Sequence, residues 1–173
     1  EIFFYRFLIA YLGIWVISPK RLFAGNWKDE LWLMAGGFFG GSLYFFTENT
    51  ALGITQASNV AFIICTAPLL TTILSLLFYK SEKATKGLIY GSILALIGVG
   101  LVVFNGSFVL KLSPVGDLLT LLAALSWAFY SLVIKKMTGR YPTVFITRKI
   151  FFYGVLTILP AFLLHPLQPD FDV

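Results

Sequence analysis

Residues 58–79 read SNVAFIICTAPLLTTILSLLFY, with no Asp, Glu, Lys or Arg among them. A helix that crosses about 30 Å of hydrocarbon needs roughly 17–25 predominantly apolar residues, and this run has that length. Five more runs of the same kind flank it, at 2–18, 31–52, 87–104, 117–134 and 145–165. Short connections join them, as antiparallel helix neighbours require. The expected fold class is an all-α polytopic membrane protein with six transmembrane helices. An open sheet would leave backbone groups unpaired in lipid. A barrel needs strands of about ten residues with alternating polarity, whereas these runs are continuous and about twice that long.

Composition agrees. Of 173 residues, 58% are hydrophobic and 12% charged, and the mean hydropathy is +0.87. An ordinary soluble domain has roughly 25% charged residues, so the charges here cannot cover a water-soluble globule of this size. The net charge of +5 is modest, and no basic run interleaves with aromatics, so nucleic acid is not an expected partner. Cys65 is the single cysteine and His165 the single histidine. Neither a disulfide framework nor a metal-ligand spacing exists, and no cofactor is implied. A triad or metal enzyme would have to be built around one imidazole, so a membrane-embedded enzyme is disfavoured. The chain opens as Glu1-Ile2-Phe3-Phe4-Tyr5-Arg6, without Met and without the pattern of a signal peptide. The expectation is a piece of a longer protein.

The charges alternate by connection. The first holds Lys20, Arg21 and Lys28 against Asp29 and Glu30, the third Lys80, Lys83 and Lys86 with Glu82, and the fifth Lys135, Lys136 and Arg140. The second, 53–57, holds none, and the fourth, 105–116, only Lys111. Under the positive-inside rule the odd connections face the cytoplasm. Trp15, Trp27, Trp32, Tyr79 and Tyr141 lie near segment ends, where aromatic rings anchor in the headgroup region.

Lipid gives no hydrophobic drive for helix association, so small residues that allow close backbone approach carry the packing. Gly36-Gly37-Phe38-Phe39-Gly40-Gly41 supplies two overlapping pairs in the second segment. Gly87, Gly91, Ala95 and Gly98 share nearly one face of the fourth. Packing within the bundle is the economical reading, and a homodimer face is the alternative. Ser58, Ala61, Cys65, Pro68, Thr72 and Ser75 form one stripe of the third segment. Pro68 removes a backbone hydrogen bond and bends that helix. The freed carbonyls meet either a water-filled cavity or the hydroxyls of Thr66 or Thr71.

Polar groups at membrane depth are expensive, and functional candidates by default. Arg6 shares a face with Ala10 and Gly13, which suggests the bundle interior; snorkelling to headgroups is the competing reading. Glu48 shares a face with Gly37, Gly41 and Tyr44. It pairs with Arg6, binds a cationic substrate group or carries a proton; otherwise it is a structural or interfacial carboxylate. Asn49 and Asn59 flank the same outer turn and also suit caps and turns. Asp117, after Pro114-Val115-Gly116, reads as a helix N-cap. Arg148 and Lys149 open the sixth segment on the cytoplasmic side, where charge bias accounts for them.

Together these residues resemble EamA-type transporters of the drug/metabolite transporter superfamily. The stretch from Ala51-Leu52-Gly53-Ile54-Thr55-Gln56-Ala57-Ser58-Asn59-Val60-Ala61 through Thr66-Ala67-Pro68-Leu69-Leu70-Thr71 to Lys80-Ser81-Glu82-Lys83 is similar to the third-to-fifth helix region of that family, and it continues into Gly91–Gly100. Arg6-Phe7-Leu8-Ile9-Ala10 resembles the start of the second helix. Gly116-Asp117-Leu118-Leu119 and Ala123-Ala124-Leu125-Ser126-Trp127-Ala128 resemble the sixth. The resemblance covers nearly the whole chain. It implies a ten-helix fold of two inverted repeats, of which this chain holds helices two to seven. On that scheme 1–104 completes the first repeat with four helices, 105–116 is a linker, and 117–173 begins the second with two.

The expected function is that of a secondary transporter. It would move, as an exporter, small metabolites such as amino acids or related amphipathic compounds across the plasma membrane, a bacterial inner membrane. The expected partners are the small-molecule substrate and the lipid bilayer. Arg6, Tyr44, Glu48, Asn49, Asn59 and Trp127 are the candidate substrate-binding residues. The alternative function is a membrane-embedded assembly or sensor subunit without transport activity.

Overall fold

The computed structural model describes residues 2–19, 23–79, 85–104 and 113–164. Among them every regular element is helical: α1 (Ile2–Ile17), α2 (Trp27–Gly37), a π-helical turn (Phe38–Leu43), α3 (Tyr44–Ile54), α4 (Ala57–Ile64), α5 (Ala67–Phe78), α6 (Lys86–Phe104), α7 (Pro114–Thr138) and α8 (Thr143–Leu164). Residues 27–54 run on through the π turn, and α4 and α5 follow end to end, so these elements make six rods. They coincide with the six hydrophobic runs. Ala57–Phe78, Pro114–Thr138 and Thr143–Pro160 are each long and apolar enough to cross a membrane, and Phe4–Ile17 and Ile89–Leu101 are shorter apolar stretches. Lys20, Arg21, Lys80, Glu82, Lys83, Lys111 and His165 lie outside the described residues.

The chain divides into two compact units, one of residues 1–42 with 133–173 and one of 43–132. In the first, α2 opens on Asn26, whose side chain accepts from Lys28 N at 3.1 Å, and Asp29 and Glu30 stand in the first turn at the positive end of the helix dipole. The helix then meets α8 through its glycines. A Cβ on Gly36 would fall 2.5 Å from Ile150 Cδ1, and one on Gly37 would fall 2.5 Å from Tyr153 Cβ and 2.9 Å from Gly154 N. The expectation that Gly36 and Gly37 pack within the bundle is met here. Ser42 Oγ donates to Gly154 O at 3.0 Å and lies 2.6 Å from Thr157 Oγ1. Leu33, Met137 and Ile146 are among the most deeply buried side chains of this unit.

α1 packs on α8 by a different face from the expected one. Arg6 and Gly13 are exposed, and a Cβ on Gly13 meets nothing within 4 Å. The packed residues are Phe7, whose ring stands edge-on to Phe151 at 4.8 Å, and Tyr11, against Phe152 at 5.6 Å. The small residue lies on the partner. Gly154 makes room for Phe7, whose Cδ1 is 2.9 Å from where a Cβ would be. A large side chain on α1 entering a gap on α8 replaces the small face expected on α1.

In the second unit, the rod 57–78 breaks at Cys65-Thr66. Pro68 cannot donate to Ile64 O, so the helix stops and restarts with Pro68 in its first turn, where proline is tolerated. Thr66 Oγ1 donates to Ile63 O at 2.6 Å and Thr71 Oγ1 to Ala67 O at 2.8 Å, so both hydroxyls bond carbonyls that flank the break. The expected small-residue stripe is not the buried face of this rod. Asn59, Val60 and Ala67 are buried, while Ala61 and Pro68 are exposed.

Asp117 is not the N-cap residue. α7 starts three residues earlier at Pro114, with Ser113 before it, and Asp117 Oδ2 accepts from Ser113 N at 3.2 Å in the manner of a capping box. Ser113 Oγ reaches Ile54 O at 3.3 Å, and Gly116 packs on Thr55, joining the start of α7 to the end of α3. On α6 a Cβ at Gly87, Gly91 or Gly98 meets nothing within 4 Å, and Ser92 is the buried position. Packing of that glycine face within the described bundle is therefore not observed.

A methyl at position 37 forces α2 away from backbone atoms of α8. Gly37→Ala is expected to destabilise the protein by about 1–3 kcal/mol, the usual cost of overpacking. Gly87→Ala and Gly91→Ala should cost nothing measurable. Thermal unfolding in detergent, followed by the monodisperse fraction, separates the two cases.

Candidate functional site

Three of the expected site residues come together in the second unit. Tyr44 and Glu48 stand one helical turn apart on α3, the spacing at which side chains on one helix face meet. The Tyr44 hydroxyl donates to Glu48 Oε1 at 2.9 Å, and both side chains are half-buried. The Tyr44 ring packs on Trp127 of α7 at 5.1 Å, and Trp127 on Tyr130 at 5.1 Å. The result is a carboxylate oriented by a phenol and set beside aromatic faces. Such a group can accept from an ammonium, while the ring quadrupoles attract the same cation.

Among the described bonds and ring contacts, none joins the other three to this cluster. Asn49 follows Glu48 on α3 but is exposed. Asn59, on α4, is buried. Arg6 belongs to the first unit and is exposed on α1. Tyr130 is the member of the aromatic cluster that the sequence reading leaves out. Its position three residues after Trp127 on one helix is the signal that points to it.

A second polar cluster lies in the first unit, and the sequence gives it away less. Glu30 Oε1 accepts from Lys149 Nζ and from the Tyr153 hydroxyl, and Glu30 Oε2 accepts from Ala24 N at 2.7 Å. Lys149 and Glu30 are 4% and 7% exposed. Rings of Phe23, Tyr153 and Phe152 surround the ammonium at 4.8, 5.1 and 5.8 Å. Beside it, Asp29 accepts from Arg140 Nη1 at 2.7 Å and from the Tyr141 hydroxyl at 3.0 Å. Arg148 Nη1 donates to Ser18 O. Charge bias alone therefore does not account for Arg148 and Lys149. Both are buried and bonded to groups more than a hundred residues away. Burial opposes ionisation of Glu30, which precedes the spanning run, but the bonds from Lys149, Tyr153 and Ala24 outweigh it and hold the carboxyl below its usual range. Burial and the bond to Asp29 push the Tyr141 phenol up.

A model of the EamA-like transporter family matches residues 1–104. The chain belongs to the EamA-like transporter family. An Archaeoglobus fulgidus protein named an uncharacterized transporter is 29% identical over 161 residues, covering 91% of this chain and 55% of its own length. A second protein so named from that organism is 27% identical over 167 residues, 95% of this chain and 55% of its own. The Bacillus subtilis uncharacterized transporter YdfC is 34% identical over 142 residues, 79% of this chain and 44% of its own. The chain spans about half the length of these curated relatives. No solved structure matches it significantly. EamA membership makes this a multi-pass helical membrane protein of a transporter family, and not an enzyme.

The Asp29–Arg140 and Glu30–Lys149 pairs should respond differently to loss of a partner. Arg140 is half-exposed, with 54% of its side chain open to solvent. Arg140→Ala is expected to cost about 0–1 kcal/mol, as exposed pairs do. Lys149→Met strands Glu30 in the interior and should cost about 3–5 kcal/mol. Parallel thermal melts of the two variants give the comparison.

Proposed function

We propose that the chain serves in a secondary transporter for small amphipathic metabolites, amino acids or related compounds, with export across the plasma membrane as its direction. The observation that carries the substrate class is Glu48, held by the Tyr44 hydroxyl beside Trp127. A carboxylate at membrane depth is costly unless it has work to do. Here its free acceptor positions suit an amino group, and Tyr44, Trp127 and Tyr130 suit the apolar body that accompanies it. Asn49 and Asn59 of the same unit are proposed to complete recognition, and Arg6, in the other unit, is proposed as a separate contact for substrate. The alternation of basic and uncharged connections supports a cytoplasmic position for the odd ones.

The open glycine face of α6 favours one further reading. It suits close approach of another helix, from a second copy or an assembly partner. Loss of a co-purifying partner in Gly87→Leu/Gly91→Leu, with substrate flux intact, is the outcome expected if that face joins subunits.

The transport reading is tested with proteoliposomes of the protein expressed from its complete reading frame. Uptake or efflux of a labelled amino acid or related amine is expected, and absence of flux for every metabolite class would refute it. Glu48→Gln should raise KM about tenfold or more, the worth of one hydrogen bond to a charged group, while membrane expression stays normal. An unchanged KM and pH profile would make Glu48 structural.

A further inference from the structure

The buried charges of the first unit have no part in the site built on Glu48, yet they are the most completely enclosed ionisable groups described. Asp29, Glu30, Arg148 and Lys149 are 5%, 7%, 2% and 4% exposed. They sit at one end of the seam between α2 and α8, the end at which the connections 18–26 and 139–142 enter these helices. Four of their bonds, from Arg140 to Asp29, Arg148 to Ser18, and Lys149 and Tyr153 to Glu30, join the first thirty residues of the chain to residues 140–153.

Farther along the same seam the contact changes character. Gly36 and Gly37 meet Ile150, Tyr153 and Gly154 through carbon and backbone atoms, with no room for water. The end of the seam is thus closed by charge, and its middle by close packing.

This division has a physical reading. A buried ion pair adds little net stability over a well-packed apolar pair, so stability alone does not explain it. The two kinds of contact differ in what happens when they part. An apolar pair exposed to water loses its whole advantage. Separated charges regain hydration, which offsets the attraction they lose. A contact that has to open and close at low cost is therefore better made from charges. In the closed form, the rings of Phe23, Phe152 and Tyr153 around the Lys149 ammonium keep water from it.

We infer that Glu30, Lys149 and Tyr153 form a latch that closes the basic end of the α2–α8 seam and parts when the transporter opens to that side. The inference rests on the transport reading above, but its test needs no substrate. A single-cysteine reporter is placed at Leu33, which is fully buried on α2 three residues after Glu30, in a Cys65→Ser background. The complete protein is reconstituted in lipid vesicles and labelled from the basic side with a membrane-impermeant maleimide.

With the native pair, labelling is slow. In Glu30→Gln or Lys149→Met it should rise at least about tenfold, a threshold below the roughly hundredfold or more that about 3–5 kcal/mol from loss of one partner of a buried pair corresponds to. The exchanged pair, Glu30→Lys with Lys149→Glu, should restore slow labelling. Folded single variants that label at the native rate overturn the inference. If the single variants do not fold, Glu30→Met/Lys149→Met decides. A latch replaced by an apolar pair stays shut, so amide hydrogen exchange over 27–37 should slow at least about tenfold. Unchanged exchange in that variant overturns the inference. A latch that behaves as expected in a protein that moves no metabolite would refute the transport reading and leave the latch standing.

Discussion

A Cβ at position 37 would lie 2.5 Å from Tyr153 Cβ and 2.9 Å from the amide nitrogen of Gly154, so α2 and α8 come this close only because residue 37 has no side chain. In lipid, where apolar side chains gain nothing by leaving their surroundings, such approach is the main source of helix association. The rest of the first unit follows from it. With the backbones in contact, the Glu30 carboxylate on α2 comes within reach of Lys149 and Tyr153 on α8 and is shut off from solvent. Gly154, pressed by Gly37 on one side, leaves a gap on another that Phe7 of α1 enters. One missing side chain thus sets the position of three helices and the environment of a buried ion pair.

The second unit is organised by helix ends rather than by a long seam. Pro68 stops one helix and begins the next, with Thr66 Oγ1 donating to Ile63 O beside the break. Ser113 ties the first turn of α7 to the last carbonyl of α3, and Asp117 returns to the Ser113 amide. These bonds fix the start of α7 against α3. Farther along the same two helices, Trp127 lies against Tyr44, whose hydroxyl holds Glu48. The candidate site is therefore held by backbone-terminus chemistry at one end of its helices and by aromatic packing along them.

The sequence makes the rods legible because apolar runs of about twenty residues with at most two charges have few other uses, and because loop charges alternate in step with them. It also shows which residues permit close approach, but not whether a neighbour uses them. Gly36-Gly37 and Gly87-Leu88-Ile89-Tyr90-Gly91 give the same signal, yet only the first meets a helix among the described residues. Tyr44 and Glu48 are visible as a pair from their four-residue spacing, whereas Trp127 follows from family resemblance and Tyr130 only from its place on α7. Glu30 and Lys149 are hidden for a different reason. A charge near a helix end satisfies the topology rule whether or not it is paired, so one sequence cannot separate the two roles. The phase of α1 misleads in the same way: its small face invites packing, but the partner helix supplies the gap instead.

The buried charges of α8 also bear on how the protein is made. Arg148 and Lys149 lie within Thr143–Pro160, a stretch otherwise apolar enough to cross a membrane. Each basic side chain raises the cost of passing into hydrocarbon, by roughly 2.5–3.5 kcal/mol at a helix centre and less toward its ends. The groups that receive them, the Ser18 carbonyl and the Glu30 carboxylate, leave the ribosome more than a hundred residues earlier. They are in place before α8 emerges. Its insertion is then a docking reaction onto α1 and α2, and the order of synthesis matches the order in which the charges find their partners.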